Sequence, residues 1–130
     1  MPAPPIRVVV ADDHPELRES LRTLLAPTFD VVAAVADGPS LVQVATDLQP
    51  DLIVSDISMP GLSGLDAAAQ VKARLPGVRL VFLTIDEDRD TVAEALRRGA
   101  DAYVVKSAGV GALIEAMHDV MTGTRRVSWC

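Results

Sequence analysis

Two adjacent carboxylates, Asp12 and Asp13, close the first strongly apolar stretch of the chain, and a third, Asp56, closes another. A hydroxyl, Thr84, and an ammonium, Lys106, stand in the same relation to two later stretches. In an open α/β sheet, ligands gather outside the carboxyl ends of the strands, near the point where strand order reverses. If those stretches are parallel strands, all five groups arrive at one rim. Three carboxylates brought together away from bulk water repel one another, and a divalent cation relieves the conflict. Ligands that are oxygens throughout favour Mg²⁺, which keeps several waters and takes one or two carboxylates plus phosphate oxygens. One carboxylate then remains a nucleophile toward phosphorus, because aspartyl phosphates are an established class of covalent intermediate. Phosphoryl transfer needs in-line positioning and neutralised charge on the equatorial oxygens, which Lys106 and the Thr84 hydroxyl are suited to provide.

The elements that must position these groups are legible in the hydrophobic pattern. Five short runs rich in β-branched residues, at 6–11, 31–36, 52–55, 80–83 and 102–105, alternate with segments of helical periodicity. That alternation predicts βαβ units and a parallel sheet. The runs are apolar at nearly every position rather than every second one, so both faces of the sheet must be covered by helices. The first helix starts at Asp13-His14-Pro15, with Pro in its first turn, places Leu17, Leu21, Leu24 and Leu25 on one side, and ends near Pro27. The second covers 39–48 between Gly38 and Pro50, and the third covers 65–75 before the turn dipeptide Pro76-Gly77. The fourth runs from about Asp88 to Arg98 and closes at Gly99; the fifth covers 110–122, with Val110, Leu113, Ile114, Met117 and Met121 on one face, and stops at Gly123.

Composition narrows the possibilities further. A chain of 130 residues, 49% hydrophobic and 23% charged, suits one well-packed domain. Twelve basic against 18 acidic residues give a net charge of −6 without a basic cluster, which disfavours direct nucleic-acid binding by this segment. No apolar run approaches the ~18 residues needed to cross a bilayer. The start, Met1-Pro2-Ala3-Pro4-Pro5, lacks the pattern of an export signal, so a cytoplasmic protein is expected. Cys130 is the single cysteine, so no intramolecular disulfide is available, and Trp129 is the single tryptophan.

The combination resembles the receiver domain of two-component response regulators, from Ile6 to Thr122. The residues that carry the likeness are the acidic pair Asp12-Asp13, the segment Ser55-Asp56-Ile57-Ser58-Met59-Pro60-Gly61, Thr84 at the close of Val81-Phe82-Leu83-Thr84, and Gly99-Ala100-Asp101-Ala102-Tyr103-Val104-Val105-Lys106. The resemblance implies a flavodoxin-like (βα)5 doubly wound fold: a five-stranded parallel sheet in the order 2-1-3-4-5, with helices on both faces. It implies that Asp56 accepts a phosphoryl group from a sensor histidine kinase. Mg²⁺ would be held by Asp13 and Asp56, by Asp12 directly or through water, and by the backbone carbonyl of Ser58. Thr84 and Tyr103 would form a switch pair, the Tyr103 ring rotating inward as Thr84 is drawn toward the phosphoryl group. Such a domain is a signalling switch that catalyses only its own phosphorylation and dephosphorylation, and phosphorylation would promote a homodimer or release an output domain.

Two positions depart from common receiver patterns. Ile85 stands where many receivers carry Ala or Gly, which would restrict access of phosphodonors or water. Ser107 stands where another large subgroup has Pro, and with Asp12-Asp13-His14-Pro15 it points to the subgroup with a LuxR-type helix-turn-helix output. Residues 1–5 read as a tail, 6–122 as the receiver, and 123–130 as a tail or the start of a linker to an output domain. Plainer roles exist for single residues: Asp13 could cap the first helix, Lys106 could be solvated, and Thr84 and Tyr103 could be ordinary strand residues. Their convergence favours the site. His14 is expected at the outer edge of its loop and His118 on the solvated side of the last helix. A single-domain phosphorelay protein and a degenerate, protein-binding receiver remain alternatives. A haloacid-dehalogenase-type phosphatase would need Asp where Ser58 stands, and a flavin carrier would not place Asp12-Asp13 where a phosphate must sit.

Overall fold

The computed structural model describes residues 5–85 and 88–123, together with the backbone of 126–128. Strands β1 (Arg7–Ala11), β2 (Asp30–Val35), β3 (Leu52–Ser55), β4 (Arg79–Thr84) and β5 (Ala102–Val105) alternate with helices α1 (Pro15–Leu25), α2 (Gly38–Leu48), α3 (Gly64–Arg74), α4 (Arg89–Arg97) and α5 (Gly109–Met121). A 3-10 turn over Lys106–Ala108 leads from β5 into α5. A sixth strand, β6 (Arg126–Ser128), follows, and the sheet order is β2-β1-β3-β4-β5-β6, all pairs parallel. The expected order 2-1-3-4-5 is present, but the sheet does not stop at five strands. β6 lies along β5 with Tyr103 opposite Val127, closing what would otherwise be an open edge. Trp129 and Cys130 lie outside the described residues.

Side-chain alternation along the strands explains the continuous apolar runs. Val8 and Val10, Leu52 and Val54, Val81 and Leu83, and Ala102 and Val104 face one core, which α1 completes with Leu21 and Leu25 and α5 with Leu113, Met117 and Val120. Val9, Ile53, Leu80, Phe82 and Tyr103 face the other, completed by Leu41 and Ala45 of α2, Ala67 and Val71 of α3, and Val92 and Ala95 of α4. Each strand therefore feeds two cores. β2, at the sheet edge, is only half-buried and departs from that expectation.

Local chemistry sets the helix boundaries. Pro15 opens α1 with φ pre-set for a helix. The backbone N–H of Ser40 donates to Asp37 Oδ1 at 2.7 Å, that of Asp66 to Ser63 Oγ at 3.1 Å and that of Asp90 to Asp88 Oδ1 at 3.1 Å, so α2, α3 and α4 each have a side-chain cap. Gly99 (φ 102) and Gly123 (φ 89) turn the chain after α4 and α5 in a conformation L-residues rarely adopt. His118 is exposed, as expected, with its ring centroid 5.1 Å from that of buried Phe29. Among the described residues no helix is long and apolar enough to cross a membrane.

Candidate functional site

The sheet's pairing pattern runs one residue beyond β1 and β3, and that extension holds the acids. The N–H of Asp12 donates to Val35 O (3.0 Å) and the N–H of Asp56 to Ala11 O (2.9 Å), so both backbones are fixed at the carboxyl rim. The Ser55 hydroxyl donates to Asp56 O at 2.8 Å. The start of α3 meets the same carbonyl closely. A Cβ on Gly64 would lie 1.9 Å from Asp56 O, and the Gly64 N–H donates to Ile57 O at 2.6 Å. Only glycine fits there. Asp12 is 1% exposed and Asp56 8%, the burial expected of groups held for a purpose other than solubility.

Lys106 enters from the turn after β5. Its Nζ lies 3.1 Å from Asp12 Oδ2 and 3.1 Å from Asp56 Oδ2. Burial pushes this ammonium's pKa down, but the hydrogen bond to Asp12, the charge and hydrogen bond of Asp56 and the charge of Asp12 outweigh it and raise the pKa above its ordinary value. Lys106 is therefore a fixed positive charge at neutral pH. Asp12 is otherwise occupied: its Oδ1 accepts from the His14 N–H at 2.9 Å, and its backbone carbonyl accepts from Arg18 Nη1 at 2.9 Å. Asp56 Oδ1 accepts a longer bond from the Ser58 N–H, 3.4 Å.

Asp13 differs from its neighbours. Its Oδ1 is buried without a hydrogen-bond partner. The exposed His14 ring nitrogen Nδ1 stands 3.2 Å away, an ion pair when the ring is protonated, and 3.3 Å from Asp12 Oδ1. The helix-cap role is excluded, because His14 occupies the cap position of α1 and no side chain caps it. Ligand atoms of Asp12, Asp13, His14 and Asp56 all lie within 4.8 Å of one another. Lys106 pairs with two of the three carboxylates, and the third, Asp13, keeps a buried oxygen without a hydrogen-bond partner. That donor set and its surplus negative charge fit a hard divalent cation such as Mg²⁺.

The acids open onto a cleft of about 1080 Å³, whose lining includes Asp13, Asp56, Ser58, Thr84 and Lys106. Asp12 does not line it. Ile85 does, and it is 79% exposed. Thr84 is buried at the end of β4, and Tyr103 is fully buried on β5 opposite Phe82. By strand alternation Thr84 and Tyr103 share the sheet face covered by α4.

The site therefore unites Asp12, Asp13, Asp56, Ser58, Thr84 and Lys106, with Tyr103 one strand away. The sequence pattern assigns no role to Arg18, which holds the Asp12 carbonyl, and places Gly64 only in the turn after Asp56. Arg18 had a signal in its place one helical turn after His14, on the face that meets the acidic loop. Gly64 had one as well: a glycine directly after a Ser cap, where any good helix former would serve unless space were lacking.

A parallel (βα)5 core with an acidic rim, a lysine and a threonine at strand ends is the arrangement expected of a receiver-type signalling domain, and comparison with known proteins shows the family. Residues 8–118 match the response regulator receiver domain family, and the chain belongs to that family. It is similar to the transcriptional regulatory protein DegU of Brevibacillus brevis, 38% identical over 120 residues that make up 91% of this chain and 51% of that protein. It is also similar to the nitrate/nitrite response regulator protein NarL of Escherichia coli (strain K12), 33% identical over 121 residues, 92% of this chain and 56% of that one. A crystal structure of a two-component response regulator of the LuxR family from Aurantimonas sp. SI85-9A1 superimposes with a TM-score of 0.89 at 29% identity, covering 95% of this chain and 89% of that one. The chain spans about half the length of the curated relatives it matches.

Proposed function

We propose that this receiver accepts a phosphoryl group on Asp56 from the phosphohistidine of a sensor histidine kinase and, in that state, regulates transcription through an output region of a longer protein. The unsatisfied Asp13 Oδ1 beside an Asp56 already paired with Lys106 is the observation that carries this reading. A carboxylate oxygen of Asp56 attacks phosphorus, the P–N bond to the kinase imidazole breaks, and the imidazole leaves with a proton. Asp13 and Asp56, with Asp12 and the Ser58 carbonyl, would hold Mg²⁺. When bound, the cation neutralises charge on the phosphoryl oxygens and shields the nucleophile from its acidic neighbours. Lys106 holds a second positive charge at the same place, and the Thr84 hydroxyl donates to a phosphoryl oxygen.

Phosphorylation replaces one negative charge by about two and adds acceptor oxygens, which draw Thr84 toward Asp56. Thr84 shares a sheet face with Tyr103, so its movement changes the space available to that ring under α4 and biases the surface offered for homodimer formation. DegU is a transcriptional regulatory protein and the Aurantimonas neighbour a LuxR-family response regulator, which supports a LuxR-type DNA-binding output. Mg²⁺-dependent transfer from a labelled phosphohistidine kinase tests the reading. Label is expected on the wild type and absent from Asp56→Asn; equal labelling of both would overturn it.

A further inference from the structure

We infer that Gly38, the first residue of α2, is a positioning residue for the loop that follows Asp56: the space of its missing side chain is filled by the Leu62 backbone. A Cβ at position 38 would lie 2.1 Å from Leu62 O, 2.6 Å from Leu62 Cβ and 2.8 Å from Leu62 C. The first of these is more than 1 Å short of ordinary contact, and all three atoms are backbone or Cβ, so no rotamer change relieves it. The same two segments meet again one residue along. A Cβ on Gly61, whose φ is 80, would meet Pro39 Cδ at 3.2 Å, and the Gly38 N–H donates to Pro60 O at 3.4 Å. The helix side is stiff, since Asp37 accepts from the Ser40 N–H and the Leu41 N–H bonds to Asp37 O.

The loop is pinned at its far end, so a displaced Leu62 shifts the exposed stretch before it rather than α3. At its far end Gly64 already abuts Asp56 O and its N–H bonds to Ile57 O. A side chain at 38 therefore pushes the stretch from Ser58 to Gly61, which contains the carbonyl proposed to complete the metal ligands. Displacement of a supporting residue by about 1 Å is enough to cost on the order of 100-fold in a tightly positioned site. Gly38 does not line the cleft, and its effect reaches the site only through Leu62.

This inference rests on the proposed Mg²⁺ and phosphoacceptor roles, and calorimetric Mg²⁺ titration separates the two. Wild-type protein should bind one Mg²⁺, and Asp13→Asn should not. Gly38→Ala should raise the Mg²⁺ dissociation constant about 10- to 100-fold, the range typical when a group supporting metal ligands is lost. Gly61→Ala, which presses the same loop against Pro39, should weaken binding in the same direction. Gly77→Ala, where a Cβ meets nothing within 4 Å, should bind as wild type does. A merely structural glycine would lower the melting temperature and leave Mg²⁺ affinity alone. A cooperatively folded Gly38→Ala that binds Mg²⁺ within about threefold of wild type overturns the inference. If that variant does not fold, wild-type affinity in Gly61→Ala overturns it instead. Wild-type protein that binds no Mg²⁺, or Asp13→Asn that binds it undiminished, removes the site reading and the inference with it.

Discussion

Replacing Lys106 by Met separates the electrostatics of the site from its packing, because Met keeps most of the stem and removes the charge. The Nζ lies 3.1 Å from one oxygen of Asp12 and 3.1 Å from one of Asp56, with 16% of the side chain exposed. At an effective dielectric of ~20 each pairing is worth about 5 kcal/mol before desolvation. Burying the ammonium costs several kcal/mol in return, so the pair of contacts does not appear in full as stability. Removing one partner of a buried pair leaves the other uncompensated, which typically costs about 3–5 kcal/mol. We expect metal-free Lys106→Met to lose about 3 kcal/mol by urea unfolding. Added Mg²⁺ should restore much of that loss, and Mg²⁺ affinity should rise because a competing cation has gone. Phosphorylation by a small donor such as acetyl phosphate should nevertheless slow by about 10²- to 10³-fold, the usual consequence of losing one group aimed at developing charge. Metal-free stability equal to wild type, or Mg²⁺ binding weakened alongside an unchanged phosphorylation rate, would refute the reasoning.

Asp13→Asn removes the charge of one of three clustered carboxylates, so the metal-free protein should gain about 1–2 kcal/mol while the rise in melting temperature on adding Mg²⁺ disappears. Gly64→Ala forces a methyl group against Asp56 O and should cost about 1–3 kcal/mol by thermal unfolding, with a larger proportional loss of phosphorylation rate than of stability. Ile85→Ala, at an exposed position, should leave stability within about 0.5 kcal/mol and speed hydrolysis of the phosphorylated form, followed by loss of label. The Asp66 carboxyl is held below its ordinary value by the hydrogen bond from Arg98, and that of Glu94 by those from Arg97 and Arg98. Lowered folded-state values stabilise above the ordinary carboxylate range and are lost as pH falls through them. Any urea-midpoint difference between wild type and Arg98→Gln at neutral pH should therefore shrink toward about pH 3 and be weaker in high salt.

Much of this architecture is written in local pattern. Val8 to Ala11 and Leu80 to Leu83 read as doubly covered strands because alternate residues enter two separate cores. Pro15 and Gly99 mark helix ends through backbone restrictions that act within a turn. The acidic rim was legible for a related reason: parallel strands align their carboxyl ends, so residues at those ends must meet. β6 was not legible, since Arg126, Val127 and Ser128 form no apolar run and join β5 by backbone pairing. Contacts between distant segments were equally hidden. Gly38 against Leu62 and Arg98 against Asp66 depend on how α2, α3 and α4 pack, and no spacing along the chain encodes either. The burial of the Tyr103 ring also depends on where α4 lies, not on the sequence of β5 alone.

The central claim is that Asp56 alone forms the acyl phosphate. Protein incubated with acetyl phosphate and Mg²⁺, then reduced with borohydride, converts any aspartyl phosphate to homoserine, which peptide mass spectrometry locates. The expected result is homoserine at position 56, dependent on Mg²⁺, absent when Asp13 is replaced and strongly reduced when Lys106 is. Homoserine at Asp12 or Asp13 with Asp56 intact, or modification undiminished when Mg²⁺ is chelated, would contradict it.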